Sequence, residues 1–410
     1  MPVTTTISPL TQHYLDKEER YGAHNYHPLP VVLTKGQGVY VWDVDNRRYF
    51  DFLSGYSAIN QGHCHPRIIE TFIEQAQKLT LTSRAFHNDV LGEYEEFITK
   101  FFGYDKVLPM NTGVEAVETA LKLARRWGYE VKGVEKNRAK IIVCEQNFHG
   151  RTISVISFSS DESSSRDFGP FTPGFEPIPF NDINALKIAL QDPNVIGFLV
   201  EPIQGEAGVV VPAEGYLSQA AELCRDANVL FIGDEIQTGL ARTGKMLGCD
   251  HENVRPDILI LGKALSGGTM PVSAVLADDE IMLTIKPGDH GSTYGGNPLA
   301  CKVAMTALQV LVDEKMAENA QVQGAYFRKG LVALNSDLIS IVRGKGLFNA
   351  IVINHPDKDA AWNLCLEMKE NGLIAKPTHG DRIRFAPPLS INRDQIDECL
   401  DIIGRSLRHF

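Results

Sequence analysis

Four short apolar runs, set between helical patterns, most limit how this chain can fold. They are Ile141–Cys144 (IIVC), Val195–Val200 (VIGFLV), Val229–Ile232 (VLFI) and Ile258–Leu261 (ILIL). Their length and continuity read as strands covered on both faces. Helical patterns lie between them: one after Asn111-Thr112 through VEAVETALKLARRW, one from near Asp182, and one from about Gly215 to Ala227. Buried strands alternating with helices predict an α/β fold, with a mostly parallel central sheet covered by helices. The two ends differ. Residues 22–53 hold a hairpin-like stretch, GQGVYVWDVDNRRYFDF. Beyond Asn297 come a long helix, short strands at Ser340–Arg343, Asn349–Ile353 and Arg382–Phe385, and closing helices. The expected division is a segment 1–50 that joins a smaller α+β domain, a large domain over 51–298, and the rest of the small domain over 299–410.

Composition narrows the function classes. A net charge of −11 with acids and bases intermixed argues against non-specific nucleic-acid binding. No apolar run approaches the roughly 18 residues of a membrane span. The seven cysteines are scattered, odd in number and without a CxxC pair, so neither a zinc site nor a disulfide framework is expected. Reduced thiols in an intracellular protein are the simpler reading. The first 22 residues lack a basic region followed by an apolar one, so a cytoplasmic protein is expected, or a mitochondrial one if a leader has been removed.

In open α/β sheets, ligands bind beyond the carboxyl ends of the strands. Asp234 lies just past Val229–Ile232, and Lys263 just past Ile258–Leu261. Alone, either would as readily be a loop acid or a surface lysine. Together they suit pyridoxal phosphate (PLP): the lysine amine forms a Schiff base with the cofactor aldehyde, and the acid keeps the pyridine nitrogen protonated. Asn111-Thr112-Gly113-Val114 opens a helix whose first N–H groups can receive a phosphate, or be capped by Thr112 alone. Phe148 follows Ile141–Cys144, as a ring that stacks on a heteroaromatic or as a core-edge residue. Gly239–Lys245 fits GxxxxGK, but Met246 replaces the Ser or Thr that would hold magnesium. His63, Cys64 and His65 read as a turn before Pro66, not as metal ligands. Ser159–Ser165 reads as a surface loop.

The segments GAHNYHPLPV, NQGHCHP, LTLTSRAF, PMNTGVEA, VEPIQGEAGVVVP, DEIQTGLARTG, LGKALSGG, GSTYGGNPLA, AKPTHGD and IRFAPPL closely resemble the class III (subgroup II) aminotransferases of PLP fold type I. Within them the chain is most similar to the branch that moves the δ-amino group of L-ornithine to 2-oxoglutarate, by a ping-pong mechanism. That resemblance implies Lys263 as the Schiff-base lysine and proton carrier, and Asp234 as the pyridinium partner. Gln237 would contact the cofactor's 3′-oxygen, Phe148 stack on its ring, and Gly113 and Val114 cradle its phosphate. Ser292 and Thr293 would reach the phosphate of a neighbouring subunit, so a homodimer with shared sites is implied.

For substrates, the resemblance implies Arg151 for ornithine's α-carboxylate, Tyr26 for its α-amine, and Tyr56 in the same pocket. Arg384 would bind the α-carboxylate of 2-oxoglutarate, with Glu206 pairing it while ornithine is bound. Burying an unpaired charge is costly, which gives that exchange a physical basis. Acetylornithine and 4-aminobutyrate aminotransferases share most of these residues; Tyr26 is the discriminator, and a PLP aminomutase is more remote. One departure stands out. His149 occupies the position of a Trp in animal members, beside Phe148 and Arg151, where it would alter substrate affinity and pH dependence.

Overall fold

The computed structural model describes residues 7–409; the first six residues of the expected segment 1–50 lie outside them. A seven-stranded sheet forms the centre, in the order Lys106–Met110, Ser273–Ala277, Ile258–Leu261, Leu230–Asp234, Val195–Val200, Lys140–Cys144, Phe175–Ile178. The last five of these run parallel to one another, and Ser273–Ala277 is antiparallel to both its neighbours. The α/β class with a mostly parallel sheet is therefore as expected. All six residues of Val195–Val200 are buried, because helices cover both faces.

Alternation along the strands splits the core. Ile141 and Val143 pack with the helix Gly113–Glu130, through Ala116, Ala120, Leu123 and Trp127. Ile142 and Cys144 face the opposite layer, with Leu217, Ala220 and Cys224 of the helix Tyr216–Asp226. Each fully buried large apolar side chain is worth about 1.5–3 kcal/mol. The helix Gly113–Glu130 starts where it does because Thr112 and Glu115 form a capping box: Thr112 Oγ1 accepts the Glu115 N–H, and the Glu115 carboxylate accepts the Thr112 N–H at 2.7 Å.

The two chain ends meet in a four-stranded sheet. Leu33–Gln37, Tyr40–Asp43 and Arg48–Asp51 form an antiparallel meander, and Leu373–Ile374 adds in parallel beside Arg48–Asp51. A second four-stranded sheet joins Ile339–Lys345, Phe348–Ile353, Arg382–Phe385 and Lys376–Thr378. Arg242, fully buried, ties these regions together by donating to the carbonyls of Leu347 and Pro387 and to Asn60 Oδ1 at 2.6–3.0 Å. No helix among the described residues is long and apolar enough to cross a membrane.

Candidate active site

The site lies at the carboxyl edge of the parallel strands. Asp234 is the last residue of its strand, one step deeper than the sequence run suggests. Its Oδ1 accepts the Ile236 N–H at 3.1 Å, and its Oδ2 lies 2.6 Å from His149 Nδ1. Lys263 follows Gly262 at the end of Ile258–Leu261, in a left-handed conformation with φ of 46°. Gly113 and Gly262 bring two chain segments together: a Cβ on Gly262 would lie 3.6 Å from Gly113 Cα. The Gly113 and Val114 N–H groups belong to the first helical turn, where no preceding carbonyl can receive them.

A cavity of about 630 Å³ opens beside this edge. Tyr26, Tyr56, Phe148, Arg151, Glu206 and Arg384 all line it, so the five expected substrate residues and the expected stacking ring share one space. Arg384 Nη1 donates to Glu206 Oε1 at 2.6 Å, and Gln237 Nε2 approaches the same oxygen at 3.3 Å. The Tyr56 ring lies 5.3 Å from the Arg384 guanidinium. Tyr56 reaches this place through an unusual backbone. Ser54, Gly55, Tyr56 and Ser57 all have positive φ, from 48° to 71°, a conformation that costs each non-glycine residue about 1–2 kcal/mol. Asp51 Oδ1 anchors the start by accepting the Leu53 and Ser54 N–H groups.

Arg151 sits farther out. It donates to Ser164 Oγ at 2.8 Å, lies over the Phe148 ring, and makes no ion pair among the described residues. Ser164 also donates to Asp161. Ser159–Ser165 is thus not a plain surface loop: residues 159–164 line the cavity and Ser164 is buried. Its dense hydroxyl and carboxylate content was the available signal. Tyr26 is exposed at the cavity mouth, with the Lys376 ammonium 5.7 Å from its ring.

The electrostatics divide by depth. Burial pushes the Lys263 ammonium towards losing its proton, against the pull of Glu206, Asp234 and Glu201. Burial would raise Glu206, but Arg384, with Lys263 and Gln237, holds it below the usual carboxylate range. Glu201 is pushed up to about 7 by burial and by Asp234, against His149 and the N–H groups of Phe148 and Gly205. Glu201 is a residue that the motif reading bypasses, although it is the first after VIGFLV. His149 is not in the cavity wall; its ring lies against Asp234.

Ser292 Oγ accepts from Asn111 Nδ2 at 2.8 Å, while Thr293 and Tyr294 are exposed. His63 and His65 contact Asp51 and Glu314. Gln237 Oε1 is buried without a partner beside the Glu206–Arg384 pair. An unanswered acceptor, a helix N-terminus, a carboxylate and a buried amine together fit a flat, phosphorylated pyridine aldehyde with a ring hydroxyl.

Residues 21–407 match the family Aminotransferase class-III. The chain is 64% identical to ornithine aminotransferase, mitochondrial, of Rattus norvegicus, over 98% of this chain and 92% of that protein. A solved ornithine aminotransferase from Toxoplasma gondii ME49 superposes with a TM-score of 0.95 at 50% identity, covering 97% of this chain and 95% of its own. A solved acetylornithine aminotransferase from Elizabethkingia anophelis gives a TM-score of 0.90 at 59% identity, covering 98% and 99%.

Proposed function

The chain belongs to the class III aminotransferases, and from that premise we propose how its residues transfer the δ-amino group of L-ornithine to 2-oxoglutarate, yielding glutamate-5-semialdehyde and glutamate in two half-reactions. The cofactor is pyridoxal 5′-phosphate, which when bound supplies an aldehyde to carry the amino group and an electron-poor ring to spread developing charge. Asp234 holds a proton on the ring nitrogen. Gln237 meets the ring oxygen, Phe148 covers a ring face, and the Gly113 and Val114 N–H groups hold the phosphate. Lys263 Nζ anchors the cofactor and then carries the proton from ornithine Cδ; its lowered pKa increases the free-base fraction available for that step.

One observation carries the ornithine reading. Arg384 is closed by Glu206 at 2.6 Å, while Arg151, farther out, pairs with no carboxylate among the described residues. A donor with CH₂ at the reacting end and a carboxylate at the far end meets that arrangement. Arg151 binds the far α-carboxylate and the Tyr26 hydroxyl accepts from the α-ammonium. For 2-oxoglutarate, Glu206 releases Arg384 to the α-carboxylate near the cofactor. Ser292 and Thr293 act across a homodimer on the partner's phosphate. Phe86 and Tyr294 are exposed large aromatics, and Gly296 packs near Arg84.

The identity to the acetylornithine enzyme supports a second reading, in which the α-amine is acylated and Tyr26 loses its charged donor. Absorption spectra of the holoenzyme decide between them. Bleaching of the yellow band by L-ornithine and its return with 2-oxoglutarate is the expected result. Bleaching by N-acetylornithine or 4-aminobutyrate but not by ornithine would move the substrate. Tyr26→Ile is expected to lower kcat/KM for ornithine about 10–100-fold, as loss of a hydrogen bond to a charged group would. Seven unpaired cysteines suit a reducing compartment, and we place the protein in the cytoplasm; the rat relative is mitochondrial by name. Fractionation of the native source tests that placement.

A further inference from the structure

We propose that His149 is a positioning residue: its Nδ1–H holds the Asp234 carboxylate aimed at the cofactor's ring nitrogen, from the side away from substrate. This rests on the reading of Asp234 given above. The His149 and Asp234 side chains are 1% and 4% exposed, with Nδ1 and Oδ2 2.6 Å apart. The Ile236 N–H takes the other oxygen, so both oxygens of the carboxylate are held by protein contacts. A carboxylate held at both oxygens cannot swing away from the ring nitrogen it must meet, whereas one that lost the His149 contact would be free to turn.

The surroundings of His149 favour this role. Phe158 packs near the imidazole, with ring centroids 5.9 Å apart. Glu201 stands on the adjacent strand end, held by the Phe148 and Gly205 N–H groups at 2.9 and 3.2 Å. Among the described residues His149 Nε2 is buried with no partner, which leaves Nδ1 as the one ring nitrogen in hydrogen-bonding contact. Burial would lower the imidazole's pKa, but Asp234, and then Glu201, raise it. Lys263 lies across the site, coupled to both carboxylates.

The test compares His149→Phe, which keeps a ring without a donor, with His149→Asn, whose Nδ2–H can replace Nδ1–H. Apoproteins are titrated with PLP, and kcat, KM and the apoprotein Tm are measured. For His149→Phe the PLP Kd is expected to rise, and kcat to fall, about tenfold or more, with KM for ornithine within about twofold. His149→Asn should recover most of both. Wild-type behaviour of His149→Phe overturns the proposal. So does equal impairment of both variants with equal loss of Tm, which is packing alone. Because a buried ring change can unfold the chain, ¹⁵N-histidine spectra of the wild-type apoprotein give a second reading. A protonated Nδ1 supports the proposal and a bare Nδ1 overturns it. A wild-type apoprotein that takes up no PLP would instead strike the assignment of Lys263 and Asp234.

Discussion

Two polar side-chain pairs of the same length, 2.6 Å, sit in one active site and differ in where they stand. His149–Asp234 lies behind the strand ends, with both side chains almost inaccessible. Arg384–Glu206 forms part of the cavity wall, and the Glu206 side chain is 22% exposed. On the His149 side the first pair is closed to competing partners, so it fixes the direction of the carboxylate. The second has alternatives on hand. Arg384 Nε is buried and unanswered, Tyr56 offers a ring face, and Gln237 already reaches Glu206. Distance alone does not separate a fixed pair from an exchangeable one; access to competing partners does.

The largest expected effect breaks the fixed pair. Asp234→Ala should lower kcat by on the order of 10²–10³ in both half-reactions alike, since each needs the protonated ring. Single-turnover rates with ornithine and with 2-oxoglutarate measure this, and a loss confined to one would erase the distinction. Next, Glu206→Gln should act asymmetrically. With Arg384 left open, kcat/KM for L-glutamate as amino donor should rise about tenfold while that for ornithine falls. A symmetric loss would make Glu206 a fixed element too. The smallest effect concerns Glu201. Its carboxyl is raised from 4.5 to about 7, so between those values the folded state holds a proton that the unfolded state has lost. Apoprotein stability should therefore fall as pH rises through that window and level off above it, by at most about 3 kcal/mol. Glu201→Gln should flatten the slope, as urea melts at several pH values would register.

Much of this site was legible because a strand buried on both faces tolerates a polar residue only at its end. Asp234 and Lys263 stand out in sequence for that reason, and the same rule applied to Val195–Val200 lands on Glu201. Other features depend on strand order. Lys140–Cys144, Val195–Val200 and Leu230–Asp234 are neighbours in the sheet though far apart in the chain. That order turns His149 onto Asp234 instead of into the cavity. The left-handed turn at Ser54–Ser57 carries a sequence hint only at Gly55, since the other three residues rarely adopt positive φ. Ser159–Ser165 looks solvated because its polar groups are answered by Arg151 and by one another, which periodicity does not register.

The parallel pairing of Leu373–Ile374 with Phe50–Asp51 sets a schedule for synthesis. A ribosome adding about 5–20 residues per second makes the N-terminal meander and then takes roughly half a minute to reach its last strand. Throughout that interval the edge of Arg48–Asp51 has open backbone groups, the kind of template on which nascent chains pair wrongly. Arg242 likewise waits for the carbonyls of Leu347 and Pro387. The parts that close around the catalytic sheet therefore come together only once residues 347–387 have been made, and the cell must keep the early strands apart until then.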